Sequence, residues 1–277
     1  MTSSSSQIPT LYTPPAERSV VYPLRLLFRN FLGCWPLVGL MMLGAVASTL
    51  TVPVSPNGFG ARVAYTCFRI WARSLLRGFG VRVWVKGLEH LQQGAPGILV
   101  ANHRSHLDIP VLGTVVKRPS VAVHKRSLEY IPLLGQVIWL SGSVGLNRGD
   151  HQGTRRRMEV VKKRLLGGRN VMIFPEGQRS RGKDLSGFKK GAAVLAIEQQ
   201  CALTPITILG TDVLYPPGNL MIHQGDVLVV VHPPVPSTGM QMSDREALTE
   251  TVRTIIASQF AQGPLDMSRL EGAVRVV

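Results

Sequence analysis

A histidine and an aspartate five positions apart, His103 and Asp108, are the residues of this sequence best suited to moving a proton. A neutral imidazole takes a proton near pH 7, and a carboxylate holds it in one tautomer and stabilises the imidazolium. On one straight helix, five positions turn about 500° and leave the two side chains roughly 140° apart. They meet only if His103 lies in a loop and Asp108 in the first turn of a helix. A second reading of the same residues stays open. Ser105 and Asp108 stand three apart before an apolar run, a capping-box variant in which Asp108 is structural and His103 a loop histidine. Neither His103 nor His106 has the H-E-x-x-H context of a zinc site, so no metal is expected.

Two further clusters carry groups that suit an anion. Gly142 and Gly145 allow close backbone approach, and Arg148 offers a planar five-donor fork for phosphate. Downstream, Phe174-Pro175-Glu176-Gly177-Gln178-Arg179-Ser180 sets a carboxylate, a glycine and an arginine after an apolar run. Backbone N–H groups around Gly177, with Arg179, form an anion cradle. Residues 177–183 also match G-x-x-x-x-G-K, the start of a P-loop. Asp184 stands where that motif needs Ser or Thr, and no helix pattern follows, so a nucleotide site is set aside. No G-x-S-x-G elbow is present, so the hydroxyl that a base would activate belongs to the substrate.

The elements that must position these groups alternate. The apolar run 97–101 stops at Asn102, as a buried strand opening into a loop and then a helix. In open α/β sheets, ligands sit at that end of the strands. Strands are predicted over 81–85, 98–101, 121–124, 171–174, 204–209 and 226–231. Helices are predicted over 105–116, 151–166, 189–199 and 243–259. Ser243 and Glu246 form a capping box for the last helix, and Gly263-Pro264 ends it. The alternation predicts an α/β fold with a mixed, largely parallel sheet flanked by helices.

Upstream, residues 31–54 contain no Asp, Glu, Lys, Arg or His. As a helix they would reach about 36 Å against roughly 30 Å of hydrocarbon, so they read as a membrane segment. Three forms are open: a cleaved signal peptide at Ala45-Val46-Ala47, a spanning helix, or a re-entrant hairpin bent at Pro36 and Gly44. The apolar run continues past Ala47, which weighs against cleavage. Arginines flank both sides, as a hairpin returning to the cytoplasmic face would show. Residues 65–79 follow as a basic amphipathic helix. Phe68, Trp71, Ala72, Leu75, Leu76 and Phe79 form its apolar stripe, with Arg69, Arg73 and Arg77 on another face. This suits an anionic lipid surface; ordinary packing onto a core is the alternative.

The totals agree with a membrane-associated enzyme. The chain has 277 residues, a net charge of +15 and 45% hydrophobic residues, enough for one large domain with a full core and an anionic partner. From Arg148 to Lys190 there are thirteen Lys/Arg against four Asp/Glu, a net of +9. Aromatic content of 6% and the membrane segment argue against nucleic acid, whose stacking platforms need aromatics. Cys34, Cys67 and Cys201 are scattered and odd in number, as in a reducing compartment.

Together the clusters resemble the glycerolipid acyltransferase family, and within it the bacterial 1-acyl-sn-glycerol-3-phosphate acyltransferases. Asn102-His103-x-Ser105-x-x-Asp108 is similar to the family's HX4D block. Residues 142–148 are similar to its second block, residues 174–180 to its FPEGTRS block, and Leu203-Thr204-Pro205-Ile206 to its fourth. The stretch 124–132, followed by Gly135, is also family-like, and the similarity runs from about residue 81 to 235. Gly145 stands where the second block usually has Phe, and Gln178 where the third usually has Thr. Both departures bear on the acceptor, not on the transfer chemistry.

The resemblance implies that His103 and Asp108 are catalytic. Arg126, Arg148, Glu176, Gly177, Arg179 and Ser180 would bind substrate. A fatty acyl group would pass from acyl-CoA or acyl-carrier protein, with no cofactor, to a lysophospholipid acceptor, above all the sn-2 hydroxyl of 1-acylglycerol 3-phosphate. The expected organisation is a tail at 1–30, a membrane-anchoring helical module at 31–80 and an acyltransferase domain at 81–277. The expected location is the cytoplasmic face of a bacterial inner membrane. Lyso-ornithine lipid or another lysolipid is the alternative acceptor. A non-catalytic, membrane-tethered binder of anionic lipid or nucleic acid is the alternative of another class.

Overall fold

The computed structural model describes residues 59–92, 95–131, 134–147, 149–180, 185–219, 221–263 and 265–277. The readings of a tail at 1–30 and a membrane segment at 31–54, and that of Arg148 as an anion ligand, lie outside them. Eight strands form one mixed sheet: β1 (Val81–Lys86), β2 (Ile98–Ala101), β3 (Ser120–Lys125), β4 (Val144–Leu146), β5 (Asn170–Ile173), β6 (Leu203–Leu209), β7 (Gly225–Val231) and β8 (Val274–Arg275). Their order across the sheet is β4-β3-β5-β2-β6-β7-β1-β8. The first five run parallel to one another. β7 then pairs antiparallel with β6 and parallel with β1, and β8 returns antiparallel along β1. The expected α/β architecture is present.

The middle strands β2, β5 and β6 are buried at every residue, as strands covered on both faces must be. Period-two alternation divides β2 between two cores. Leu99 and Ala101 join Leu76 of α1 (Phe59–Gly78), Phe79 just past it, and Val111, Leu112 and Val115 of α3 (Asp108–Val115) on one face. Ile98 and Val100 join side chains of α5 (His151–Leu166), α6 (Gly191–Gln199) and α8 (Arg245–Phe260) on the other. Each fully buried Leu, Ile or Val stabilises by about 1.5–3 kcal/mol. Three shorter helices complete the order: α2 (Glu89–Gln92), α4 (Leu134–Ser141) and α7 (Thr211–Leu214).

Several boundaries differ from the sequence expectation for local reasons. The helix expected from 105 starts at Asp108, because the Ser105 hydroxyl donates to the Tyr215 carbonyl at 2.8 Å and holds residues 105–107 as a loop. Before α8, the reciprocal cap forms between Gln241 and Asp244 instead of Ser243 and Glu246. The Glu246 carboxylate instead pairs with Lys190. The apolar stripe of α1 packs on protein: Ala72 and Leu76 are buried, as is Phe79 just past the helix. A Cβ at Gly113 of α3 would stand 2.5 Å from the Phe68 ring, so that glycine admits α1 at close range. No described helix is long and apolar enough to cross a membrane.

Candidate active site

β2 and β5 are parallel neighbours with Val100 opposite Ile173, and β2 and β6 with Ala101 opposite Ile206. Three loops therefore leave the same sheet edge side by side, carrying His103, Glu176 and Thr211. Asn102 fastens the first to the third. Its amide donates to the Ile208 carbonyl at 2.9 Å and accepts from the Ile208 N–H at 2.7 Å, fully buried. His103 lies in the loop and Asp108 opens α3, the arrangement their spacing demanded.

The two side chains meet, with His103 Nδ1 2.8 Å from Asp108 Oδ2. That oxygen also accepts the Arg104 and Ser105 N–H groups, at 2.8 and 2.9 Å. The Thr211 hydroxyl donates to the other oxygen, Oδ1, at 2.6 Å. A carboxylate facing three other donors is an acceptor, so the Nδ1 of a neutral His103 carries the proton and Nε2 keeps the lone pair. The imidazole also stacks on Phe174, with centroids 4.3 Å apart and planes inclined by 23°. Asp108 is fully buried and the His103 side chain 17% exposed, so the ring connects a dry anchor to an accessible edge. The cap and proton-transfer readings of Asp108 coexist: its carboxylate reaches back to the Ser105 N–H while it holds the imidazole.

Glu176 grips the histidine loop from β5. Its Oε1 accepts the His103 N–H at 2.7 Å, and its Oε2 accepts the Ser180 hydroxyl and, at 3.2 Å, the Ser186 N–H. The Ser180 N–H closes the grip by donating to the His103 carbonyl at 2.8 Å. Burial pushes the Glu176 carboxyl above its ordinary value, and the N–H donors of His103 and Ser186 oppose that rise. Both Glu176 and Ser180 are buried, so they act first on the protein. Gly177 follows at φ +69°, and Lys189 Nζ lies 2.9 Å from where a Cβ there would stand. Arg179 lies within electrostatic reach of His106, whose pKa is lowered by burial first and then by the charges of Arg179 and His103. Cationic groups thus border the loop beside the imidazole.

Arg126 belongs to a different group, at the β3–β4 edge. It opens a 3-10 turn (Arg126–Tyr130), with Nε 4.0 Å from Glu129. Glu129 also lies 3.3 Å from His124 Nε2 and 3.6 Å from Arg157 NH1, and Arg157 donates to the Gly145 carbonyl at 2.8 Å. A Cβ on Gly145 would stand 2.2 Å from Glu129 Oε1. The absent bulk at Gly145 is thus filled by a carboxylate from a neighbouring turn. The structure brings together His103, Asp108, Glu176, Gly177 and Ser180, with Arg179 close by. Thr211, Phe174 and Lys189 have places at the site that sequence reasoning missed. Thr211 lies two residues past a predicted strand and Phe174 begins a motif, but neither carries a spacing signal toward His103.

A family model described as Acyltransferase matches residues 82–209. A 1-acyl-sn-glycerol-3-phosphate acyltransferase of Saccharomyces cerevisiae is 30% identical over 231 residues, covering 81% of this chain and 74% of that protein. One from Chlamydomonas reinhardtii is 34% identical over 193 residues, or 69% of this chain. The chain spans 56% of the length of that algal relative and 52% of a chloroplastic one from Arabidopsis thaliana. The crystal structure of the 1-acyl-sn-glycerophosphate acyltransferase PlsC from Thermotoga maritima shares the fold. The TM-score is 0.73 at 23% identity, over 87% of this chain and 96% of that one. With the matched segment running from β1 to the end of β6 and the likeness to the yeast enzyme extending over most of both chains, this protein belongs to the acyltransferase family that includes these 1-acyl-sn-glycerol-3-phosphate acyltransferases.

Proposed function

We propose that this chain transfers a fatty acyl group from a thioester, acyl-CoA or acyl-carrier protein, to the sn-2 hydroxyl of 1-acylglycerol 3-phosphate, giving phosphatidic acid. The observation that carries the reading is the His103–Asp108 pair, with Nδ1 2.8 Å from a carboxylate fixed on both oxygens. The free Nε2 takes the hydroxyl proton as the oxygen attacks the thioester carbonyl. The tetrahedral intermediate collapses, the C–S bond breaks, and the imidazolium returns its proton to the departing sulfur. Asp108 stabilises the imidazolium without becoming protonated. The reaction balances with the two co-substrates alone. Arg179, Lys189 and the Gly177 loop receive the phosphate and glycerol end. Glu176 and Ser180 keep that loop against the base. Holding the head group there supplies rate by fixing the attack geometry.

An acceptor with one acyl chain resides at a lipid surface, and the protein has features that suit one. Ile70 on α1 and Tyr130, Ile131 and Trp139 after β3 are exposed. Burial and then the charges of Arg69 and Arg77 lower the Arg73 pKa, as three like charges sharing one helix face would. These features suit an anionic lipid surface, and the location that goes with the proposed reading is the cytoplasmic face of a bacterial inner membrane. A second acceptor class, lyso-ornithine lipid or another lysolipid, is favoured by one observation: the Glu129 carboxylate occupies the space over Gly145. Thioester consumption and lipid products, measured on the purified full chain with a panel of acceptors, test the reading. Phosphatidic acid is the expected product, and His103→Ala is expected to lower turnover by about 10²- to 10⁴-fold while membrane binding is retained. Consumption of another lysolipid with no phosphatidic acid formed replaces the acceptor. Unchanged function in His103→Ala makes the protein a binder.

A further inference from the structure

We propose that Thr211 is a positioning residue of the His–Asp pair, delivered from β6 to complete the carboxylate's hydrogen bonding. The proposal rests on His103 acting as the base. Three donors converge on Asp108 Oδ2, and all three come from the histidine's own loop. On Oδ1 the donor is the Thr211 hydroxyl at 2.6 Å, 103 positions away in sequence. Both side chains are fully buried, so water does not substitute for the hydroxyl.

The chain is shaped to put it there. Gly210 turns out of β6 at φ +93°, a conformation that side-chain-bearing residues rarely adopt. A Cβ at Gly210 would also stand 2.7 Å from the Asp226 carbonyl. Thr211 is then the first residue of α7, and its carbonyl accepts the Tyr215 N–H at 2.9 Å. Further links bind the same segment to the histidine loop. Ser105 donates to the Tyr215 carbonyl at 2.8 Å, and Arg104 Nε lies 2.8 Å from Asp212 Oδ2. The stretch from Ile208 to Tyr215 is thus the other half of the catalytic mount, with Thr211 its contact to the carboxylate.

The consequence is chemical as well as structural. A donor on Oδ1 stabilises the charged carboxylate and fixes its rotation, so that Oδ2 stays in line with Nδ1. Without it, a buried carboxylate oxygen lacks a donor, and the pair binds a proton more tightly. Thr211→Val keeps the side-chain shape and removes the hydroxyl. Its kcat is expected to fall about 10- to 100-fold, the rate equivalent of one charge-assisted hydrogen bond. KM for both substrates is expected to stay within about twofold, and the acid limb of kcat/KM to move to higher pH. Thr211→Ser, which restores the donor, is expected to recover both. Thr211→Cys gives the same comparison as valine, with a weak donor of similar size, should the valine variant not fold.

A purely structural residue would lower the unfolding midpoint while folded enzyme kept its kcat and its acid limb. That result overturns the proposal, as does a serine variant as slow as valine. If His103→Ala keeps wild-type turnover, the base reading fails and this proposal with it. If His103→Ala is inactive while the valine and cysteine variants match wild type, the Thr211 assignment alone fails.

Discussion

At the scale of single residues, the site depends on which groups are charged where water is scarce. Asp108 is fully buried, yet donors surround both its oxygens, so its anion is solvated by the protein. Asp108→Asn isolates the charge. The amide retains nearly the same shape but cannot accept from all the donors at once, and its own N–H groups oppose those of Arg104 and Ser105. The imidazole is then released toward the other tautomer, with Nε2 carrying the proton. Turnover is expected to fall by about 10³- to 10⁴-fold in an acyl-transfer assay, with KM little changed. Loss of less than tenfold would assign Asp108 to the helix start alone. The five-residue spacing made this pair legible in the sequence, because it constrained where the loop must end. The Thr211 donor was not legible, since nothing in a strand-ending Gly-Thr says which of several loops it will face.

Elements set the next level, and Asn102 shows how. The side chain of this residue substitutes for strand pairing just where β2 ends, bonding both backbone groups of Ile208 on β6. Asn102→Ala leaves a buried N–H and a buried carbonyl without partners. Destabilisation of about 2–4 kcal/mol is expected in denaturant unfolding, with turnover reduced in the protein that remains folded. A cost below about 0.5 kcal/mol would mean that the loop is held by Glu176 and Ser180 instead. All six strands expected from sequence are present, because buried apolar runs of four to seven residues declare themselves. Among those that escaped were β4, three residues within a glycine-rich stretch, the two-residue β8, the four-residue helices α2 and α7, and α4, an apolar stretch whose pattern has no polar face. The order of the strands escaped too. β2 lies between β5 and β6, and no local pattern records that neighbourhood.

For the molecule as a whole, the surplus charge seen in sequence is partly absorbed by the fold. Lys162 lies between Glu159 and Glu198, and Arg169 donates to the Ser141 carbonyl, its pKa pushed down to about 10 by burial and then by Arg164. What remains near the catalytic edge therefore acts through position more than through number. The same accounting identifies where acid should open the fold. His232, just past β7, is buried, and its Nε2 lies 2.9 Å from the Thr207 hydroxyl of β6, which is itself 3.3 Å from the Ile256 carbonyl of α8. It thus links two antiparallel strands to a helix on the far core. Burial first, and then the charge of His90, lower its pKa from the ordinary 6.5 to about 4. Between those two values the unfolded chain holds a proton that the folded protein refuses. Stability is therefore complete above pH 6.5 and falls as pH drops toward 4. The unfolding midpoint of wild type is expected to decline through that interval, and that of His232→Gln to decline less steeply, since its amide does not titrate. Equal slopes for the two proteins would place the acid sensitivity elsewhere, and a midpoint that rose on acidification would reverse the sign of the argument.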